Sequence, residues 1–200
     1  MNTMPFPIFL NLAGRTCLVI GSGAEAERKA TSLRLSGAHV RRSLGFSDNL
    51  LTGAALVIIA ETPLAVAQAA ARAAQERGIL VNAVDRPQLC DFIVPSIVDR
   101  APVVLAISTA GTAPSLAKLL RLILEHALPR RLGALAVLAG RFRPLVSRRL
   151  EDPELRRQFW RRIFTGRVAM LALAGKPAHT ELLAALDQAA ISSAGPSKAA

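Results

Sequence analysis

A glycine-rich turn between a short apolar run and a helical pattern constrains the fold of this chain most. The run Thr16–Ile20 (TCLVI) is β-branched and aliphatic, and it stops at Gly21–Gly23 (GSG). The next segment, Ala24–Leu35, is rich in Ala, Glu, Arg and Leu and predicts an α-helix. Gly37 ends that helix, and Ala38–Arg42 predicts a second strand. The order predicts a right-handed β-α-β unit with parallel strands.

The following segments continue the alternation of strand and helix. Ala54–Ala60 is an unbroken apolar run, as expected for a strand that is covered on both faces. Leu64–Arg77 predicts a helix, and Ile79–Val84 predicts a strand that ends at Asp85. This alternation favours an α/β fold with a Rossmann-like parallel sheet.

The pattern changes after Asp91. Phe92–Val98 and Val103–Ser108 are β-prone runs joined by a connection too short for a parallel crossover, so we expect an antiparallel pair. A helix is predicted from about Ser115 to Leu128, and helices are predicted for the rest of the chain up to Leu186. Breaks between these helices are expected near Gly140, Pro153, Gly166 and Gly175–Pro177.

Composition bounds the kind of protein. The chain has 200 residues, of which 52% are hydrophobic and 20% charged, so it should fold as one domain or as a domain with a smaller appendage. Aromatic residues make up only 4%, which argues against a base-stacking surface. The two cysteines are far apart, and no signal peptide or membrane span is visible. We therefore expect a reduced, cytoplasmic protein.

Positive charge is concentrated in one segment. The formal net charge is +11, and residues 121–167 hold twelve arginines and four acidic residues. These arginines are compatible with three interpretations: clamps for carboxylates, contacts to nucleic-acid phosphates, or a solvated face. No nucleic-acid-reading motif accompanies them, so we do not expect a nucleic-acid partner.

The glycine-rich turn has the pattern G-x-G-x-x-A, with Ala26 as its last member. Gly21 would permit the tight turn, and Gly23 would let the backbone approach a pyrophosphate at the helix N-terminus. Between a strand and a helix, this pattern predicts dinucleotide binding. At the end of the second strand, however, Arg41 and Arg42 stand where an acidic ribose ligand is usual, so the residues alone leave NAD and NADP open.

Asp85 follows a predicted strand at the edge where open α/β sheets bind ligands. Its carboxylate could accept a proton or contact a metal, or it could simply cap the turn before Pro87. His39, His126 and His179 are too dispersed to suggest a metal site.

Five motifs in order make the chain resemble the dehydrogenase and ferrochelatase module of siroheme synthase, also known as a free-standing precorrin-2 dehydrogenase. The motifs that carry this resemblance are Pro7–Leu12, Cys17–Lys29, Asn82–Asp85, Phe92–Arg100 and Ile107–Pro114. The resemblance extends to about Leu173 and includes the pair Phe159-Trp160. It implies NAD-dependent oxidation of precorrin-2 to sirohydrochlorin, with Fe²⁺ insertion to give siroheme in some members.

The resemblance also implies an architecture. It predicts a homodimer with a Rossmann dinucleotide-binding domain at 1–96, a dimerisation segment at 97–145 and a helical C-terminal domain at 146–191. The remaining residues, 192–200, are Ser, Ala, Gly, Pro and Lys, and this composition predicts a loose tail. The substrate is an octacarboxylate, which is complementary to the arginine-rich half. No membrane partner and no metal site within the protein are expected.

Site residues follow from the same resemblance. Asp85 matches an aspartate implicated in catalysis, which favours that role over turn capping. The resemblance implies NAD as the cofactor, bound by Gly21, Ser22, Gly23, Ala24, Glu25, Ser43, Asn82 and Val84. It implies substrate contacts from Ser108, Thr109, Gly111 and Thr112, and some relatives have a phosphorylatable serine at the position of Thr109.

One segment departs from the family pattern. Only eleven residues separate Arg42 from Ala54, where the family usually has a further helix and strand, and Glu61-Thr62-Pro63 stands where the family has an Asp-Asp pair. The sheet should therefore be abbreviated, and NAD binding should be weaker or altered. This departure keeps open an alternative function, a non-catalytic NAD-sensing module.

Overall fold

The chain divides into two units between Val94 and Pro95 in a computed structural model that describes residues 5–193. Unit 1 extends up to Val94, and unit 2 begins at Pro95.

Unit 1 contains the predicted parallel sheet. Among residues 5–94, its four strands are β1 Thr16–Ile20, β2 His39–Ser43, β3 Ala54–Ile59 and β4 Leu80–Ala83. They lie in the order β2-β1-β3-β4, and all neighbours are parallel. Each begins and ends within one residue of its predicted bounds. The Rossmann-like parallel sheet is thus confirmed, in the abbreviated form that the short segment after β2 predicts.

Two helices cover the two faces of this sheet. Helix α1, Gly23–Leu35, packs on the face that contains Cys17 and Val19 of β1, and helix α2, Leu64–Gln75, packs on the face that contains Leu18 and Ile20. Alternate residues of one strand therefore serve both cores, which is why the strands are apolar throughout. The inner face of α2 consists of Ala67, Ala70, Ala71 and Ala74.

The connection from β2 to β3 contains one 3-10 turn, Asp48–Leu51, and no α-helix. Leu51 is buried in the core on the α2 side of the sheet, and Asp48 forms an ion pair with Arg77 at 2.6 Å. Leu51, together with the partly buried Phe46 and Leu50, thus packs this short connection against the core.

Unit 2 starts with the predicted antiparallel pair, β5 Ser96–Arg100 and β6 Val103–Ile107. The predicted start of the first strand at Phe92 is wrong. The backbone N–H of Asp91 donates to the Val81 carbonyl at 2.8 Å, and the Asp91 carboxylate accepts from the Val81 N–H at 2.9 Å. This pairing holds the segment before Ser96 against the end of unit 1 instead of in the hairpin.

Five helices complete the described part of unit 2. They are α3 Pro114–Ala127, α4 Leu132–Arg149, α5 Pro153–Thr165, α6 Arg167–Leu173 and α7 His179–Ser193. A core formed by α4–α7 includes Leu150, Phe159, Leu182 and Leu186.

Breaks at Pro153, Gly166 and Gly175–Pro177 are confirmed, but the predicted break at Gly140 is wrong. Helix α4 continues through Gly140, which is exposed. A glycine in a helix interior lowers stability by only about 1 kcal/mol, and the packing of the flanking residues outweighs that loss.

Two of the predicted domain boundaries fall within helices. Helix α4 crosses the predicted boundary between 145 and 146, and that boundary stays a prediction. Helix α7 continues through Ser193, so Ser192 and Ser193 are helical, while residues 194–200 of the predicted tail lie outside the described residues. Within residues 5–193, no helix combines the length and the apolar character that crossing a membrane requires.

Candidate functional site

The glycine turn between β1 and α1 lies at the carboxyl edge of the parallel sheet. Gly21 is buried with φ of +122°, and its N–H donates to the Ser43 carbonyl at 2.8 Å. A Cβ atom at Gly21 would overlap the carbonyl oxygen of Ala60, so only glycine fits between the two strands here. The turn is therefore fixed against both neighbouring strands, β2 and β3.

A carboxylate lies over the second glycine of the turn. Gly23 has φ of +81°, and a Cβ atom there would overlap Oε2 of Glu61, the second residue after β3. Glu61 itself has φ of +52°, a conformation uncommon for a residue with a side chain. The first turn of α1 thus faces an anionic group from the chain itself, a position where a helix favours negative charge.

The residues of the turn leave backbone donors available. Ser22 is the N-cap residue of α1, is exposed, and its side chain makes no capping hydrogen bond. Ala24 is exposed as well. The N–H groups at the beginning of an α-helix have no partner within the helix, and here no side chain of the N-cap residue supplies one. This arrangement suits an anionic ligand such as a diphosphate.

Glu25 uses its carboxylate within α1. It accepts hydrogen bonds from Arg28 Nε at 2.8 Å and Nη2 at 2.5 Å, and its Oε1 lies 3.6 Å from Lys29 Nζ. The hydrogen bond from Arg28 holds the pKa of Glu25 below its usual value, against the opposing effect of partial burial. The predicted cofactor contact of Glu25 is consequently restricted to its backbone unless these bonds break.

The end of β2 lacks an acidic residue, as the sequence predicts. Ser43 is half-buried and donates from Oγ to the Gly45 carbonyl at 2.7 Å. Arg42 forms an ion pair with Glu27, and Arg41 donates from Nη2 to the Thr52 carbonyl at 2.5 Å. Both guanidinium groups that could bind a 2′-phosphate thus have partners within unit 1.

Asp85 follows β4 at the same edge of the sheet as the glycine turn. Ile20 of β1 pairs with Ile59 of β3, and Ile59 pairs with Ala83 of β4, so the three strands end level with one another. Asp85 is exposed and has φ of +59°. The structure therefore brings an accessible carboxylate to the carboxyl edge where the glycine turn lies.

Hydrogen bonds fix the loop that carries Asp85. Asn82 is buried, and its Nδ2 donates to the Phe92 carbonyl at 2.9 Å, while Val84 N–H donates to the Ile59 carbonyl at 2.8 Å. Cys90 Sγ lies 3.1 Å from both the nitrogen and the oxygen of Ala83, and burial raises the pKa of this thiol. The side chain of Asn82, predicted to bind the cofactor, is thus engaged in holding the loop.

Hydrogen bonds also link the loops that follow β3 and β4. Arg86 Nη2 donates to the Thr62 carbonyl at 2.6 Å, and Nη1 lies 3.4 Å from Thr62 Oγ1. The bond joins the residue after Asp85 to the residue after Glu61. Glu61 and Asp85, which both have positive φ, therefore belong to two loops that these hydrogen bonds join.

The predicted substrate residues lie in unit 2, in the loop between β6 and α3. Ser108 Oγ accepts from the Ala110 N–H at 3.0 Å, and the Thr109 carbonyl accepts from Thr112 Oγ1 at 2.5 Å. Thr109 is half-buried, whereas Ser108, Gly111 and Thr112 are exposed. The four residues form one closed turn before α3.

Two parts of the chain match known protein families. Residues 8–44 and 41–96 match the family described as "Putative NAD(P)-binding", and residues 131–189 match the "Sirohaem synthase dimerisation region". Siroheme synthase of Nitrosospira multiformis is 42% identical, over 85% of this chain and 41% of that protein. Siroheme synthase of Pseudomonas aeruginosa PAO1 is also 42% identical, over 88% of this chain and 43% of that protein. The chain is thus similar to siroheme synthases, with an NAD(P)-binding match in its first half and a dimerisation-region match in its second half.

The chain spans about two-fifths of the length of these curated siroheme synthases. A solved structure named "SirC, precorrin-2 dehydrogenase" is similar in fold, with a TM-score of 0.69 and 18% identity, over 92% of this chain and 100% of that one. At that identity the likeness concerns the fold, and it confirms the α/β fold with a helical second part.

Two residues near the turn were not predicted as members of this module's site. Glu61 was noted only as a departure from the family pattern, and Lys29 only as part of a motif. A charged residue inside an otherwise apolar helix face was the available signal for Lys29, which is 9% exposed. Among the described residues, no group of three or more His, Cys, Asp or Glu side chains is placed to hold a metal ion.

Proposed function

We propose that this chain oxidises precorrin-2 to sirohydrochlorin with NAD⁺. The observation that carries the proposal is the position of Asp85, an exposed carboxylate at the same sheet edge as the glycine turn. A hydride acceptor bound at that turn and a proton acceptor at the end of β4 are the two parts that a dehydrogenation requires.

The residues at the turn fit a dinucleotide. Gly21 and Gly23 leave room where a Cβ atom would fill the approach, and Ser22 leaves the first N–H groups of α1 without a side-chain cap. Glu61 occupies part of this approach, so its carboxylate has to move aside for a diphosphate. Ala24, Glu25, Ser43 and Val84 are proposed as further cofactor contacts, and Asn82 as a contact through its backbone.

NAD rather than NADP is the proposed cofactor. A 2′-phosphate needs free guanidinium groups at the end of β2. Arg42 is paired with Glu27 and Arg41 with the Thr52 carbonyl, so both guanidinium groups are drawn toward partners within unit 1. The 2′-hydroxyl of NAD does not require a free guanidinium group.

The chemistry proposed for the chain's own residues is proton removal. Oxidation of the substrate removes one hydride and one proton and leaves a new double bond in the macrocycle. NAD⁺ supplies the hydride acceptor when bound. The Asp85 carboxylate accepts the proton. Hydrogen bonds fix the loop that carries Asp85, so the carboxylate is already held at the edge of the sheet.

Residues of unit 2 are also proposed as substrate contacts. Ser108, Thr109, Gly111 and Thr112 offer hydroxyl groups and exposed backbone, and the arginine-rich helices offer partners for substrate carboxylates. Several of these arginines already have acidic partners, such as Arg149 with Asp187 and Arg157 with Glu154. Fe²⁺ is proposed as a second substrate, to be inserted into sirohydrochlorin, and the expected cytoplasmic location stays a prediction.

The protein is proposed to be a homodimer. Helix α3 exposes Leu116, Leu119 and Ile123, which share one face because they are three, four or seven residues apart. The opposite side of α3 packs on β5, where Arg100 Nη2 donates to the Glu125 carbonyl at 2.7 Å. A second copy of the chain would cover this exposed apolar face.

The test is an NAD⁺-dependent assay with precorrin-2 on the full chain, comparing Asp85→Asn with the control Asp48→Asn. The proposal predicts turnover that Asp85→Asn abolishes and Asp48→Asn keeps, since Asp48 lies on the 3-10 turn with Arg77 as partner. Binding of NAD(H) with no turnover of precorrin-2 by the unaltered chain would favour the alternative, a non-catalytic NAD-sensing module.

A further inference from the structure

The second strand lacks the acidic residue that usually contacts the ribose of NAD. Residues 38–46 contain two arginines and no Asp or Glu. In folds of this kind, the acidic residue accepts a hydrogen bond from the 2′-hydroxyl of NAD. Its charge also repels the 2′-phosphate of NADP. A chain that selects NAD without this residue therefore needs another group to discriminate between the two cofactors.

The two arginines of β2 lie on opposite faces of the sheet. Arg41 is level with Leu18 of β1, which belongs to the core on the α2 side. Arg42 is level with Val19 of β1, which belongs to the core on the α1 side. Side chains that are level on neighbouring strands point to the same face of a sheet. Of the two arginines, Arg42 therefore lies on the face of α1, at whose N-terminus the diphosphate is proposed to bind.

Helix α1 brings a carboxylate to Arg42. Glu27 Oε2 forms an ion pair with Arg42 Nη1, and Glu27 Oε1 lies 3.1 Å from Arg34 Nη1. Glu27 is one helical turn after Gly23, and side chains of an α-helix lean toward its N-terminus. An acidic group thus reaches the arginine of β2 from the neighbouring helix instead of from the strand itself.

Both members of this ion pair are accessible to a ligand. The side chain of Glu27 is 52% exposed, and that of Arg42 is 33% exposed. The hydrogen bond from Arg34 holds the pKa of Glu27 below its usual value, and the charge of Arg42 adds to this effect against the opposing effect of desolvation. Glu27 is therefore ionised at neutral pH, and a group that binds beside Arg42 meets a negative charge as well as a positive one.

We propose that Glu27 is a specificity-determining residue, whose carboxylate makes the chain select NAD over NADP by opposing a 2′-phosphate beside Arg42. The proposal rests on the proposed function, in which a dinucleotide lies across the glycine turn. The adenosine ribose of a dinucleotide bound in this way lies near the end of the second strand. The charge of Glu27 repels a 2′-phosphate there and offsets its attraction to Arg42, whereas a 2′-hydroxyl carries no charge. Helix α1 thereby provides the acidic group that β2 lacks.

The experiment is a binding measurement on the full chain and needs no precorrin-2. Calorimetry gives the Kd values of NAD⁺ and NADP⁺ for the unaltered chain and for Glu27→Gln, which keeps the length of the side chain and removes its charge. We expect the Kd of NADP⁺ to fall about fivefold and the Kd of NAD⁺ to change by less than about twofold. The fall should become smaller at high ionic strength, because the charges are exposed.

A matched control removes a similar carboxylate elsewhere. The side chain of Glu154 on α5 is also 52% exposed and also forms an ion pair with an arginine, Arg157. Glu154→Gln changes the net charge by the same amount as Glu27→Gln, and it should leave both Kd values unchanged. This control separates an effect beside Arg42 from a general effect of net charge.

Two double variants identify the cation that a 2′-phosphate would contact. Adding Arg42→Gln to Glu27→Gln should abolish the gain in NADP⁺ binding, because the phosphate then has no guanidinium group on the face of α1 at the end of β2. Adding Arg34→Gln should keep most of the gain, since Arg34 lies in the last turn of α1. A gain that persists without Arg42 would overturn the proposal.

The remaining outcomes separate this proposal from the proposed function. An unchanged ratio of the two Kd values in Glu27→Gln would overturn the role of Glu27. Equal tightening of NAD⁺ and NADP⁺ would overturn it as well, because Glu27 would then act on the diphosphate that both cofactors share. A selective gain for NADP⁺ in a chain that does not oxidise precorrin-2 would contradict the proposed function and support the role of Glu27. Binding of neither dinucleotide to any variant would overturn both.

Discussion

The carboxylate of Glu61 lies over Gly23, in the space that a Cβ atom at this glycine would occupy. Gly23 begins α1, so a negative charge from the end of β3 stands at the positive end of the helix. The free chain thus carries an anion of its own where a dinucleotide diphosphate is proposed to bind. Binding of the cofactor has to displace it.

Removal of this carboxylate should strengthen NAD⁺ binding. The interaction of an acidic group with a helix N-terminus is favourable by up to about 1 kcal/mol. In Glu61→Ala the carboxylate no longer competes with the diphosphate for this position and no longer repels it. We expect the Kd for NAD⁺, measured by calorimetry, to fall roughly fivefold. Glu76→Ala, at the end of α2, should leave the Kd unchanged. Weaker binding in Glu61→Ala would mean that Glu61 is a ligand of the cofactor.

Gly21 should tolerate alanine far less than Gly78. Both have positive φ, +122° and +68°, but an added Cβ meets nothing at Gly78 and overlaps the backbone of Ala60 at Gly21. Gly78→Ala should cost about 1–2 kcal/mol in the free energy of unfolding, from backbone strain alone. Gly21→Ala should cost about 4 kcal/mol or more, because a backbone oxygen cannot rotate away. Equal costs in urea denaturation would show that the turn is not held against β3.

Glu25 should stabilise the fold above acid pH. Its pKa is lowered in the folded chain by the hydrogen bond from Arg28, so its contribution is present above the usual value of 4.5 and is lost as pH falls through the lowered pKa. Glu25→Gln should therefore be less stable than the unaltered chain at pH 7. The difference in urea midpoint should shrink well below pH 4.5. A difference that does not change with pH would contradict an ionic role.

The apolar face of α3 should hold the dimer together. Leu119 and Ile123 are each 52% exposed on this face. Replacing both by Glu places charges in the proposed interface, so the mass measured by sedimentation should fall to that of one chain. Leu35→Glu, an exposed position at the end of α1, is the control and should remain a dimer. Unchanged mass in the double variant would place the interface elsewhere.

Much of the fold could be predicted because its signals are local. The run Thr16–Ile20 and the turn that follows predict β1 and α1 to within a residue, and the short predicted connection between Val98 and Val103 indicates an antiparallel pair. Gly140 was a wrong prediction because packing, rather than the propensity of one glycine, decides whether a long helix continues.

The candidate site could be predicted only in part. The pattern of glycines indicates the turn, but no sequence pattern specifies the left-handed backbone of Glu61 or Asp85, which lie in two loops that the Arg86–Thr62 hydrogen bond joins. The burial of Lys29 likewise depends on residues that are distant in the chain. The roles assigned to the site residues stay predictions.

The most direct measurement follows NADH and sirohydrochlorin together in one reaction of the full chain with precorrin-2 and NAD⁺. The account predicts that both products form in equal amounts, and that Asp85→Asn forms neither while still binding NAD⁺ with unchanged Kd. Product formation by Asp85→Asn at the rate of the unaltered chain would contradict the central claim that the glycine turn and Asp85 form one dehydrogenase site.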